Sequence, residues 1–153
     1  MKNKYMMCAI EEARKGINLG HGGPFGCVIV KDGKIVGKGH NEVLKNNDPT
    51  CHGEIMAIHK ASKKLQNFDL KGCTLYTTGE PCPMCMAAIK WANIDKVYFG
   101  CNVNDTEIIG FRDKRFYEEQ NGKGGSVELV EIDRDECLKL YQEYIDIEDK
   151  VNY

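Results

Sequence analysis

The order of helix and strand signals predicts an α/β protein, a three-layer α/β/α sandwich around a mixed sheet of about five strands. Three observations carry this. The opening "MKNKYMMCAIEEARKG" repeats apolar residues at helical spacing, with Met6, Ile10, Ala13 and Ile17 on one stripe. "FGCVIV" and "KIVGKGHN" are short β-type runs joined through Asp32-Gly33, a dipeptide suited to a two-residue hairpin turn. Residues 73–100 then read strand, helix, strand, as "CTLYTT", "MCMAAIKWA" and "KVYFG". Such a unit implies a parallel pair with a right-handed crossover.

The remaining elements follow in order. After the hairpin, "NNDPT" breaks the chain, and a helix over about 53–66 carries Ile55, Ile58 and Leu65. "MCMAAIKWA" is apolar on most faces and is expected to be buried. Residues 102–125 are polar and contain glycine, which suits short helical pieces and loops. "SVELVEI" is the expected fifth strand, and a last helix over about 134–148 carries Cys137, Leu138, Tyr141, Tyr144 and Ile145. No linker, repeat or low-complexity segment divides the chain, so residues 1–153 are expected to form one domain.

Composition narrows the function. A net charge of −2 gives no positive excess for a sequence-independent grip on phosphate backbones, so nucleic acid is not the expected partner. No apolar run approaches the ~20 residues that span a bilayer, and the N-terminus is too interrupted by charge for a signal peptide. A cytoplasmic location is expected, with the eight cysteines as free thiols or metal ligands.

Cys82 and Cys85 lie three apart in "TGEPCPMCMAAIKWA". Taken alone, the pair suits a disulfide, a redox couple or a metal site. Upstream, "DPTCHGEI" holds His52-Gly53-Glu54 at the expected start of a helix, and the cysteines stand at the start of another. Helix starts in α/β folds gather beside strand ends, where ligands bind. Both would aim positive partial charge at one point, favouring thiolates. One histidine and two cysteines make three zinc ligands, the number a catalytic zinc takes while keeping a fourth position open.

His52-x-Glu54 with Pro81-Cys82-Pro83-Met84-Cys85 is the signature of zinc-dependent nucleobase deaminases. The likeness extends through "GGPFGCVIVKDGKIVGKGHN", "NDPTCHGE" and "EPCPMC". The chain resembles the cytidine/deoxycytidylate deaminase superfamily, and within it the bacterial guanine deaminases most. That resemblance implies a cytidine deaminase-like fold, Zn2+ on His52, Cys82 and Cys85, and Glu54 as proton shuttle. It further implies hydrolysis of guanine to xanthine and ammonia. Phe25 would cover the base, and Asn41 would hydrogen-bond it. Asp113, in "GFRD", would be a catalytic and substrate-binding carboxylate. The Gly53 N–H and Tyr153 complete the implied substrate contacts. Homodimers with exchanged C-terminal segments are implied as well. Gly53 and Gly79 stand where the family often has Ala or Ser, and Cys51 beside His52 is unusual.

Other readings stay open at this level. A tRNA wobble-adenosine deaminase shares the motif, but "CNVNDTEIIGFRDKRF" lacks that group's usual Asp-x-Lys-x-Gly run. Cytosine or a nucleoside are further substrates. A non-catalytic zinc module would need Cys51 as fourth ligand and would give Glu54 no task. Cys8, Cys27, Cys73, Cys101 and Cys137 sit within apolar periodicity and read as buried small side chains. His21, His40 and His59 have no partner at a recognisable spacing and read as surface or structural residues. Trp91 reads as core, with the cavity floor as its other place.

Overall fold

The computed structural model describes residues 1–121, 125 and 127–153. Its elements are α1 (Lys4–Asn18), β1 (Gly26–Lys31), β2 (Lys34–His40), α2 (Val43–Asn46), α3 (Gly53–Leu65) and β3 (Cys73–Gly79). They continue with α4 (Pro83–Trp91), β4 (Lys96–Cys101), α5 (Val103–Ile108), α6 (Asp113–Gln120) and α7 (Arg134–Ile145). The sheet has the order β2-β1-β3-β4, with β1 antiparallel to both neighbours and β3 parallel to β4. Asp32 and Gly33 take φ of 49° and 74° in the β1–β2 turn, as the sequence predicts.

Strand alternation divides the core into two layers of side chains. Cys27, Ile29 and Leu75 join Ala57, Ala61, Ile89 and Ala92 under α3 and α4. Val28 and Val30 point the other way, towards Ala9 of α1. The mixed sheet therefore lies between helices on both faces. The face of α1 turned inward is Ala9, Ala13 and Gly16, while Ile17 of the expected stripe is exposed. Small residues win that face because α1 lies close against the strands.

Close approach also explains Gly39 on β2. A Cβ there would stand 2.5 Å from the Ala57 nitrogen and 2.6 Å from the Gly53 carbonyl oxygen, so α3 would have to move. Gly39→Ala is expected to cost about 3 kcal/mol of stability, measured by chemical denaturation, because overpacking against backbone has little room to relax. A cost under 0.5 kcal/mol would show that α3 moves freely.

Several expectations change. Residues 127–132 form no strand, and Val127, Leu129, Val130 and Ile132 are exposed. Alternating apolar residues make a strand only where an edge accepts their backbone groups, and none of the described strands pairs with them. The sheet thus has four strands among the described residues. Within α4 only Cys85 and Ile89 are fully buried, and Trp91 is 65% exposed, neither core nor cavity floor. Cys101 on β4 and Cys137 on α7 are exposed, and Cys8 on α1 is half-buried. α7 forms where helical spacing predicts it, yet Leu138, Tyr141, Tyr144 and Ile145 are exposed.

Candidate active site

His52 is the N-cap of α3 and Cys82 the N-cap of α4, neither capping its helix with its side chain. Pro83 at the first helical position is pre-set for the turn, its missing N–H being one that no helix would use. Cys85 lies one turn into α4 and is fully buried. His52 Nδ1 stands 3.5 Å from Cys82 Sγ and 3.6 Å from Cys85 Sγ. A tetrahedral ion with ordinary zinc–nitrogen and zinc–sulfur bonds sets such edges at roughly 3.5–3.6 Å, so this donor set fits zinc. His52, Cys82 and Cys85 form a candidate metal site. Cys51 is not a fourth donor. Its sulfur accepts from the Asn46 amide at 3.6 Å.

Mutual contacts set the charges here. The Cys85 hydrogen bond, joined by that of His52, holds the Cys82 thiol down at about 4. Cys85, whose proton that bond uses, is pushed up, with burial adding to the effect. The Cys82 hydrogen bond raises His52 against the opposing effect of burial. Without a cation the trio is one thiolate, one thiol and a readily protonated imidazole.

Glu54, on the first turn of α3, is 5% exposed. The fully buried Thr77 hydroxyl lies 2.8 Å from Glu54 Oε1 and 3.0 Å from the Gly79 carbonyl oxygen, and it can donate to either. Sequence reasoning missed Thr77. Its only signal is a hydroxyl at an inward position of the alternating "CTLYTT".

A cavity of ≈ 860 Å³ opens above this group, within the range usual for small-molecule sites. Phe25, Asn41, His52, Glu54, Cys82 and Asp113 all line it. Asn41 is buried, and its Oδ1 accepts from the Val43 N–H at 3.0 Å, leaving its amide N–H2 as the donor it offers. Phe111, also unforeseen, meets Phe25 edge to face, with ring centroids 4.8 Å apart. Asn102 builds a capping box on α5, and Gly110 turns the chain at φ 101°, presenting Phe111 and Asp113 to the cavity. Burial, with Cys82 adding to it, raises the Asp113 carboxyl above the usual carboxylate range.

Two expected contacts are not brought in. Gly53 is buried and does not line the cavity; a Cβ there would meet the Phe25 carbonyl oxygen at 3.2 Å. Tyr153 meets Phe68 edge to face and Trp91 at a tilt, each 6.0 Å away between centroids, so the chain's own tail lies outside its own cavity.

Residues 1–101 match the family model for the cytidine and deoxycytidylate deaminase zinc-binding region, and the chain belongs to that family. It is a zinc-dependent deaminating hydrolase. Among its relatives, the guanine deaminase of Bacillus subtilis is 39% identical over 151 residues, covering 97% of each chain. The crystal structure of a Bacillus subtilis guanine deaminase superposes with a TM-score of 0.93, at 38% identity, covering 100% of this chain and 99% of that one. A tRNA-specific adenosine deaminase of Aquifex aeolicus is 42% identical over 98 residues, covering 64% of each.

Proposed function

We propose that the protein hydrolyses guanine to xanthine and ammonia. The observation that carries this reading is the end-to-end likeness to guanine deaminase. The tRNA-specific adenosine deaminases of Aquifex aeolicus and Haemophilus influenzae match 64% and 71% of the chain. The net charge of −2 also favours a small base over RNA. In this reading residues 1–153 act as one cytoplasmic domain, and the free cysteines suit that reducing compartment.

His52, Cys82 and Cys85 hold the zinc, which when bound acts as a Lewis acid and brings the pKa of water to ~7. Glu54 takes a proton from the attacking water and passes it to a ring nitrogen, then to the departing amine. A carboxylate suits this shuttle because the acid formed in one step is the donor for the next. Water adds to the amine-bearing carbon and ammonia leaves, so guanine plus water gives xanthine plus ammonia. Asn41 donates to the base, Phe25 and Phe111 hold its face, and Asp113 accepts from its amide and amino edge. Incubation with guanine, adenine, cytosine and their nucleosides, assayed for ammonia, tests the proposal. Turnover of guanine above the others supports it, and no release from guanine overturns it.

Thr77 positions Glu54 in this scheme. Thr77→Val keeps the shape but removes the hydroxyl from a buried carboxylate. Since hydrogen bonds to charged groups contribute about 1.5–3 kcal/mol, kcat is expected to fall ~10–100-fold, with KM little changed and Thr77→Ser restoring most of it. An unchanged kcat in Thr77→Val would remove Thr77 from the mechanism.

A homodimer with exchanged C-terminal segments belongs to the same reading. The bare faces of α7 and of residues 127–132 support it, as does an apolar crevice beside β4 formed by Pro81, Met86, Val97 and Phe99. Tyr153 then reaches a cavity only across the dimer. Deleting residues 149–153 should lower guanine turnover while leaving the zinc content unchanged. Full turnover by the truncated protein would release Tyr153 from any role in the site.

A further inference from the structure

A second cluster of donor atoms lies outside the cavity. His21 Nδ1, His40 Nε2 and a Glu42 carboxylate oxygen all lie within 4.8 Å of one another. They come from three places: the loop after α1, the end of β2 and the residue capping α2. The two imidazole nitrogens are 2.8 Å apart, and Glu42 Oε1 is 4.0 Å from His21 Nδ1 and 3.8 Å from His40 Nε2. We propose that His21, His40 and Glu42 form a second metal-binding site, for a late first-row divalent cation such as Zn2+.

The donor chemistry suits such an ion. Two imidazoles and one carboxylate make a borderline ligand set that serves zinc, nickel and copper and leaves a position for water. Ordinary metal–nitrogen and metal–oxygen bonds put ligand atoms roughly 3.3–3.5 Å apart. The observed separations bracket that value, so shifts of about half an ångström suffice, with His21 the partly exposed member and His40 and Glu42 buried.

Behind the histidine pair stands a further carboxylate. Glu12 of α1 accepts from His40 Nδ1–H at 2.9 Å. That bond fixes the His40 tautomer, so Nε2 carries its lone pair towards the cluster. A carboxylate behind a metal-bound histidine is the usual outer partner of such a ligand, orienting the ring and raising its basicity. With His40 so fixed, the proton between the rings belongs to His21 Nδ1. A cation takes the place of that proton, which moves to His21 Nε2. Lys45 Nζ, 3.1 Å from Glu42 Oε1, is half exposed and can swing into water when the cation arrives.

The site would act on the cavity from its flank. His40 and Glu42 bracket Asn41, and His21 opens the Gly22–Gly23 loop, where a Cβ on Gly22 would collide with the Asn41 side chain. A bound ion would tie α1, this loop and the end of β2 together around Asn41.

Equilibrium dialysis of the full-length zinc protein against buffered Zn2+, with elemental analysis, tests the proposal. The wild type is expected to take up a second, saturable ion per chain and to melt at a higher temperature when it is bound. His21→Gln should hold one ion and lose the second. Glu12→Gln, which keeps all three ligands, should weaken the second ion ~10–100-fold. Circular dichroism and the retained first ion show that each variant is folded. Absence of a second ion in the wild type, or its retention by His21→Gln with unchanged affinity, overturns the proposal.

Discussion

Glu54→Gln is expected to lower guanine turnover by up to ~10⁴-fold while leaving the zinc content and the melting temperature close to wild type, because positioned proton transfer contributes about 10²–10⁴-fold. The amide fills the same buried space, 5% exposed, and still accepts from Thr77. It cannot carry a proton from water to the leaving amine. Glu54 offers no ligand atom to the His52–Cys82–Cys85 group, so metal loss is not the expected cause. Parallel kinetics and elemental analysis separate the two effects. A variant that keeps a tenth of wild-type turnover would assign the proton transfer to another group, with Asp113 the first to examine.

The second large effect is the pH dependence of zinc affinity. In the metal-free site Cys82 is already a thiolate above about pH 4, so it seldom has a proton to lose. Cys85 sits well above its ordinary value and must give up its proton to bind. His52 is raised above its ordinary value of 6.5, so near neutrality and below it also has a proton to lose. Protons and zinc therefore compete, and affinity rises with pH. Above the His52 value each ion displaces one proton, and affinity should climb about tenfold per pH unit. Between that value and pH 4 two protons leave, and the slope should approach a hundredfold per unit. Competition with a chromophoric chelator across pH 5–9 measures both slopes. A flat profile would mean that Cys85 is ionised before the metal arrives.

The mirror-image case for stability follows from the same signs. Cys82, depressed in the folded state, stabilises the fold above its unfolded value near 9, and that contribution disappears as pH falls towards 4. His52, raised in the fold, contributes below its unfolded value and ceases to do so as pH rises through its folded one. The two together hold the metal-free site as an ion pair between about pH 4 and neutrality.

Much was determined by local sequence. The Asp32-Gly33 turn, the parallel β3–β4 unit, the helix starts at His52 and Cys82 and the motif they carry are properties of a few neighbouring residues. Turn chemistry, helix capping and ligand spacing act over such short distances that composition and order suffice to reveal them. Recognition of the family followed from the same short motifs, because catalysis needs those residue types at those helix starts.

Only the tertiary structure decided the rest, and the reason is one of distance along the chain. Thr77 meets Glu54 across 23 residues, and Phe111 meets Phe25 across a far longer interval. Glu12, His21, His40 and Glu42 belong to separate elements, so no spacing rule announces them. Burial behaves likewise. The apolar stripe of α7 and the alternation of residues 127–132 are plain in the sequence, but whether a face is covered depends on what lies opposite. A pattern records which residues prefer to leave water; the fold decides which surface receives them.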